Sequence, residues 1–323
     1  MYDINWAIKF KGVAGSYRLN MVSSIDIESS VDTLSDTAII TLPEAVMNQV
    51  LKIQDKVTRG TEVIIEAGYD GDLKTEFVGY VQDVTTNDSS LKIMCEDALF
   101  LFRKGIKDVE LKPTSLKKIA QLIVNQIDAS YAVKCDYDIA YEKFVIHQAT
   151  GYDVLKKLAE ETKANIYFNT NKKELHIHAP YVEKGGNVIY SMQQNIEKGS
   201  LEYKKAIDRK VEVTVESTNV KGKVEKFTAG NTGGDTVTLK VGSIAKADMQ
   251  RIANAELLRR SADMYEGSID TWLVPVVQPS YSAKIMDSDY PEKDGNYYVV
   301  GVTTAINESS RKRTVKLGIK LSV

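Results

Sequence analysis

The chain has 323 residues, 43% hydrophobic and 27% charged, the balance of an ordinary globular protein long enough for two or three domains. Its 42 basic and 44 acidic side chains leave a net charge of −2, so bulk electrostatics give no support for tight nucleic-acid binding. The opening MYDINWAIKFKG lacks a signal-peptide apolar region, and no apolar run approaches the roughly 20 residues of a membrane-spanning helix.

The first hundred or so residues read as β-structure. Apolar and polar residues alternate over 24–28 and 62–69, a period of two that turns one face inward. Asp70-Gly71 signals a tight turn into a strand over 74–81. Residues 87–90 turn the chain into a strand over 91–96, where Cys95 alternates with Leu91 and Ile93 as a buried small hydrophobe. Strands joined this tightly predict an antiparallel meander or small barrel. Cys95 and Cys135 are the only cysteines and have neither zinc nor redox spacing, which fits synthesis in a reducing cytoplasm without a signal peptide.

After residue 103 the period changes. Leu116, Ile119, Ala120, Ile123 and Ile127 share one helical face. A second helix opens at Thr150 with Asp153 placed for a capping box, and buries Leu155, Leu158, Ala159 and Thr162. Strands over 165–169 and 174–178 follow. Residues 184–323 return to β: alternation over 210–216, a glycine-rich tip over 230–235 and a strand over 236–241. A helix is expected from Ser243 to Tyr265, embedded at about 243–266, with Ile252, Ala255, Leu258 and Ala262 inward and Gly267 just past its end. Three turn-separated strands complete the chain from Thr271 to Val323. The layout is α+β, mainly β: a β unit over 1–103, an α/β module over 104–183 and a second β unit over 184–323.

The candidate chemistry is sparse. His176 and His178 point to one strand face, a possible ligand geometry, but a third ligand would have to come from His147 or a distant carboxylate. An exposed or half-buried strand face is the better reading. Glu160 and Glu161 are adjacent on a helix and diverge, and Asp287 and Asp289 lie in a turn, so neither pair faces across a cleft as acid–base work requires. The glycine runs at 184–187 and 230–235 lack phosphate-loop spacing and read as hairpin tips. Trp6, Trp272 and many of the 17 tyrosines fall in strands, where they suit core or interface. Basic clusters at Arg311, Lys312, Arg313 and at Lys204, Lys205, Arg209, Lys210 fit solvated strand ends, with nucleic-acid contact the less favoured reading. No catalytic, cofactor-binding or metal residue is assigned, and no cofactor is expected.

Four stretches carry a resemblance. Residues 31–43 (VDTLSDTAIITLP) are similar to the opening barrel of phage tail hub proteins, and residues 77–84 (FVGYVQDV) to their next signature strand. Residues 150–162 (TGYDVLKKLAEET), followed by Ile166, Tyr167 and Phe168, look like the family's helix and strand. Residues 294–303 (DGNYYVVGVT) resemble the strand before its last hairpin. In order and spacing, the chain resembles the late-control protein D and baseplate-hub family, related to the hub part of type VI secretion spike proteins. The resemblance implies two tail-tube-like β barrels flanking the α/β module, with three chains closing a pseudo-hexameric ring. The implied partners are two further copies of the chain, a tail tube or tube-initiator protein, a separate trimeric spike protein and other baseplate proteins. DNA or an effector would pass transiently through the channel. Because the sequence stops at Val323, the needle is expected on another polypeptide.

The expected function is therefore a structural hub, not an enzyme, assembled into a virion tail baseplate or an injection-system particle. The alternative is a cell-envelope-degrading or carbohydrate-binding tail protein, resting on the carboxylates and aromatic strands above. Pro275, Gly295 and Tyr297 are the residues expected to shape the second barrel.

Overall fold

The computed structural model describes residues 3–12, 15–43, 57–86, 90–182 and 185–321. Most of the expected turn at 87–90, and Lys184 of the first glycine run, lie outside the described residues.

The N-terminal lobe comprises β1 (Ile4–Gly12), β2 (Gly15–Leu19), β3 (Ser24–Ser30), β4 (Thr37–Pro43), β5 (Glu62–Tyr69), β6 (Asp72–Thr86) and β7 (Ser90–Glu96). The β5–β6 hairpin turns on Asp70 and Gly71, at φ 51° and 84°, the left-handed geometry that a two-residue turn between twisted strands demands. Alternation puts Phe10, Ile25, Ile40, Ile65 and Cys95 into one core. Burial pushes the Cys95 thiol up to about 12, so it acts as a small apolar group.

The helical module follows a 3-10 turn (Ala98–Arg103). It contains β8 (Val109–Leu111), β9 (Thr114–Ser115), α1 (Leu116–Ile127), β10 (Ala132–Cys135), β11 (Ala140–Ile146), α2 (Gly151–Thr162), β12 (Asn165–Asn169) and β13 (Glu174–His178). Ser115 caps α1, which buries Leu116, Ile119, Ala120, Ile123 and Val124. The capping box of α2 forms as expected: Thr150 Oγ1 accepts from Asp153 N (3.1 Å), and Asp153 Oδ2 accepts from Thr150 N (2.9 Å).

The remaining elements are β14 (Asn187–Ser191), β15 (Lys198–Lys204), β16 (Val211–Thr218), β17 (Val224–Gly230), β18 (Asp235–Val241), β19 (Ser243–Ile244), α3 (Lys246–Ser261), β20 (Met264–Thr271), β21 (Ser282–Met286), β22 (Gly295–Asn307) and β23 (Arg311–Lys320). Of these, β14, β15 and β20–β23 form the C-terminal lobe.

The α+β, mainly β class holds. The strands of both lobes belong to a single 13-stranded sheet, ordered β15-β20-β23-β22-β3-β4-β7-β6-β5-β1-β2, with β21 and β14 branching from β22. Among the described residues neither lobe closes into a barrel, because the free edge of β3 is taken by β22 of the other lobe. That antiparallel seam runs from Gly301 opposite Ser30 to Asn307 opposite Ser24. The strand β22 is long enough, at 13 residues, to serve β21 with its first half and β3 with its second.

The core of the helical module draws on two separate stretches of chain. Ile119, Ile123, Leu155, Leu158 and Ile177 pack in one cluster with Val213, Val215, Met249 and Ile252, which come from β16 and α3. The excursion between β15 and β20 thus covers the module's open face.

Two local expectations are corrected. The helix expected over 243–265 spans only Lys246–Ser261, because Ser243 and Ile244 pair with β11 while Met264 and Tyr265 pair with Lys204 and Tyr203 of β15. Its inward face is Met249, Ile252, Ala253 and Glu256, whereas Leu258 is exposed and Ala255 and Ala262 are half-buried. The apolar residues are spread around this helix, and a buried Glu256 held by Arg259 (2.6 Å) and Arg260 (2.6 Å) takes an inward position that no hydrophobicity pattern marks. The glycine run at 230–235 is a crossing rather than a hairpin tip. It carries the chain from β17 on one side of β16 to β18 on the other, and Asn231 and Asp235 donate backbone bonds to Val211 (2.9 Å) and Lys210 (2.8 Å).

Gly267 lies inside β20 rather than at a helix end, at φ 121°, where a Cβ would stand 1.8 Å from the Ser200 carbonyl oxygen. Gly267→Ala is therefore expected to cost roughly 2–4 kcal/mol, read as a lowered urea midpoint. Wild-type stability in that variant would refute the close approach of β15 and β20.

Candidate functional site

A fully buried ion pair ties the two lobes together, beside a looser surface pair of Lys316 with Asp32 (3.6 Å). Arg313 of β23 is completely buried, and its Nη2 lies 2.7 and 2.6 Å from the two carboxylate oxygens of Glu76 on β6. Its Nη1 donates to the carbonyls of Leu273 (2.9 Å) and Pro275 (3.1 Å), and its Nε to Thr304 Oγ1 (3.4 Å). Burial raises the Glu76 carboxyl above its ordinary value and Arg313 opposes, with burial the stronger influence. This corrects the solvated reading of the Arg311 cluster. Arg311 is exposed and Lys312 pairs with Asp270 (2.8 Å), but Arg313 points into the protein because its position on β23 faces inward.

A second contact joins the N-terminal lobe to the helical module. Asp97 N donates to the Asp36 carbonyl (3.0 Å), and Asp36 N donates back to Asp97 Oδ2 (3.2 Å). Asp97 Oδ1 caps the 3-10 turn through Leu99 N (2.9 Å), and Ala98 N donates to Thr170 Oγ1 (3.0 Å). Burial raises both carboxyls, Asp36 to about 6, while the Ser29 hydroxyl and the Ser30 backbone pull Asp36 down. A cleft of about 260 Å³ at this point is lined by Asp36, Glu76, Asp97, Asn165 and Ser280 from all three units.

The other sequence candidates settle as follows. Glu160 is exposed, while Glu161 accepts from Tyr141 Oη (3.2 Å) and burial raises its carboxyl. Asp287 is buried and organises its own loop, accepting from Asp289 N (3.0 Å) and Tyr290 N (3.3 Å). Neither carboxylate pair lines a shared catalytic cleft among the described residues. Lys204 pairs with Glu266 and Arg209 donates to the Arg260 carbonyl (3.4 Å), while Lys205 and Lys210 are exposed as a solvated strand start would have them. Trp6 packs on the N-terminal core, whereas Trp272 is exposed. Tyr297 is fully buried, with its Oη donating to the Lys293 carbonyl (2.5 Å). Gly295 opens β22 at φ 156°. His147 pairs with Asp108 (2.6 Å) at the surface. His176 and His178 do share a face; burial holds the His176 imidazole below its ordinary value while Glu174 opposes. Among the described residues no group of three or more His, Cys, Asp and Glu side chains is arranged to hold a metal, and no helix is long and apolar enough to cross a membrane.

What the molecule does offer is surface for other chains. The sheet ends in two edges, β2 and β15, whose outer backbone groups have no partner strand among the described residues, and β14 ends its branch the same way. Ile189 on β14 and Met286 on its neighbour β21 are exposed, as are Tyr290, Trp272 and Val274. Edges and exposed apolar side chains of this kind can take up an added strand or be buried against another chain.

No protein-family model matches the chain, and no curated protein matches it. Solved structures do. A tail protein from Neisseria meningitidis MC58 superposes with a TM-score of 0.68 at 15% identity, covering 98% of this chain and 97% of that one. The 43 kDa tail protein of prophage MuSo2 from Shewanella oneidensis gives 0.66 at 15% identity, covering 97% and 98%. An Escherichia coli component of the type VI secretion system gives 0.63 at 12% identity, covering 98% of this chain and 77% of that one. The fold, over essentially its whole length, is the one shared by these phage tail and secretion-system proteins.

Two outcomes test the junctions. Arg313→Met leaves a buried, unpaired carboxylate and should cost about 3–5 kcal/mol in urea unfolding, whereas Glu76→Gln with Arg313→Met together should cost less than the two single changes summed. Full additivity would show that the pair is not formed. Because the folded chain holds the Asp36 and Asp97 protons more tightly than the unfolded chain, protonation favours folding. Stability should rise as pH falls from 7 through about 6 toward 5, and Asp36→Asn should flatten that rise. A melting temperature that falls over this range in both proteins would contradict it.

Proposed function

We propose that the chain is a structural baseplate hub of a phage tail or a phage-like contractile injection system. Three copies form a pseudo-hexameric ring that joins the tail tube to the central spike. The observation that carries this reading is the end-to-end match with whole tail proteins, 97% and 98% of the partner chains, rather than with one domain of a larger enzyme. The Escherichia coli relative in fold is itself described as similar to bacteriophage T4 tail proteins, and structures from a Francisella PdpA–VgrG complex share the fold at a TM-score of 0.60.

On this reading residues 1–103 and 184–323 are the two tube-like units and 104–183 the module between them. Two related units per chain, repeated by a threefold axis, give six docking positions for a hexameric tube and three for a separate trimeric spike. Other baseplate proteins surround the ring, and DNA or an effector passes through it. The chain acts as scaffold and not as an enzyme, is made in the bacterial cytoplasm, and ends in a virion tail or injection particle. The exposed edges β2, β14 and β15 support it, since a ring that continues its sheets from chain to chain uses edges of this kind.

The test is the solution mass by light scattering, followed by co-purification with the tube and spike proteins encoded beside it. A species near three times 36.0 kDa, or a trimer formed when spike is added, is expected. A chain that stays monomeric and fails to bind either partner would overturn the proposal.

A further inference from the structure

The pair His176 and His178 on β13 is built more carefully than a strand face needs. Their rings meet: His176 Nδ1 lies 3.2 Å from His178 Nε2. The outer nitrogen of each ring is held by a carboxylate, His176 Nε2 by Glu174 Oε2 at 2.9 Å and His178 Nδ1 by Asp136 Oδ1 at 2.8 Å. Tyr167 of the neighbouring strand β12 stacks on His176, with ring centres 4.9 Å apart and planes 7° from parallel.

Proton bookkeeping gives this arrangement its meaning. An ionised carboxylate only accepts, so each outer nitrogen carries a proton. A neutral imidazole has one N–H, which leaves both inner nitrogens as lone pairs aimed into the same gap. Two facing lone pairs at this separation repel unless a cation, a metal ion or a shared proton, lies between them. Two imidazole ligands on a tetrahedral ion, each at 2.0–2.1 Å, stand about 3.3 Å apart, close to the gap found. Carboxylates on the outer nitrogens are the partners that fix tautomer and ring orientation in metal-bound histidines. The two side chains are 18% and 11% exposed.

We propose that His176 Nδ1 and His178 Nε2 bind a borderline-soft divalent transition metal, the class of Zn²⁺, with Glu174 and Asp136 as orienting partners and water completing the coordination. The site is an open, two-ligand one, since no third His, Cys, Asp or Glu joins it among the described residues. Hard cations such as Mg²⁺ are disfavoured by the two nitrogen ligands. This inference is independent of the hub reading.

The test is titration calorimetry of the tag-free full chain with ZnCl₂ at pH 7, with metal-free unfolding recorded for every variant. Saturable uptake of one ion per chain is expected. His176→Asn or His178→Asn should weaken it at least tenfold, and Asp136→Asn about 10–100-fold, as for orienting carboxylates elsewhere. His147→Asn, at a separate surface pair, should leave it unchanged. The wild-type chain supplies a second readout that no variant can compromise: its imidazole ¹⁵N resonances should move with Zn²⁺ and not with Mg²⁺. No saturable uptake, uptake that survives loss of both histidines, or ¹⁵N spectra that show a bridging proton unaffected by Zn²⁺ would each overturn the proposal.

Discussion

The buried pair of Glu76 and Arg313 is the constraint on which the arrangement of the lobes depends. Its partners stand 237 residues apart, one on each lobe, and every polar hydrogen position of the guanidinium that the fold addresses is directed at Glu76, at two carbonyls or at Thr304. Such a pair gains little net energy over a well-packed apolar contact, because two charges had to leave water. What it gains is uniqueness. Both Glu76 oxygens meet one guanidinium nitrogen while Leu273, Pro275 and Thr304 take the others, so β6 and β23 are pinned together at one point beside the β3–β22 seam. Hydrophobic contacts across the same boundary, such as Leu273 and Ile306 in the N-terminal core, are permissive by comparison.

The helical module is tied in differently. Its attachment to the N-terminal lobe runs through the two bonds between Asp36 and Asp97, one to a carbonyl and one to a carboxylate, and through the capped turn that follows. Its open side is sealed by β16 and α3, supplied much later in the chain. Neither the module nor the excursion buries its apolar face alone. The helical module and the excursion therefore share one interior and are not beads on a linker.

Much of this was legible in the sequence, and the boundary of legibility is physical. Local rules worked where the energy is local: the Thr150–Asp153 capping box, the Asp70-Gly71 hairpin, the buried face of α1 and the alternation that hides Cys95 are each set within a few residues. The fold class followed from the same periods. The seam between β3 and β22 could not be read, because strand partners are chosen by long-range packing. Arg313 was misread because two basic neighbours disguised an inward-facing position, and Glu76 sat unremarked in a polar strand start. The face of α3 was misplaced because a buried Glu256 is neutralised by two arginines that look like solvated charge. For the histidines, spacing gave the shared face, but Asp136 lies 42 residues from His178 and only the parallel pairing of β10 with β13 brings it near.

The β3–β22 seam also imposes an order on biogenesis. The edge of β3 is made first, and its partner follows 270 residues later. At roughly 5–20 residues per second the ribosome leaves that edge open for something like a quarter of a minute to a minute. During this interval Ile25 and Ile27 lie on an incompletely covered strand, a template for adhesion to neighbouring nascent chains on the same message. Production of the protein is thus expected to be limited less by the stability of the finished fold than by what shields one strand while the rest is being made.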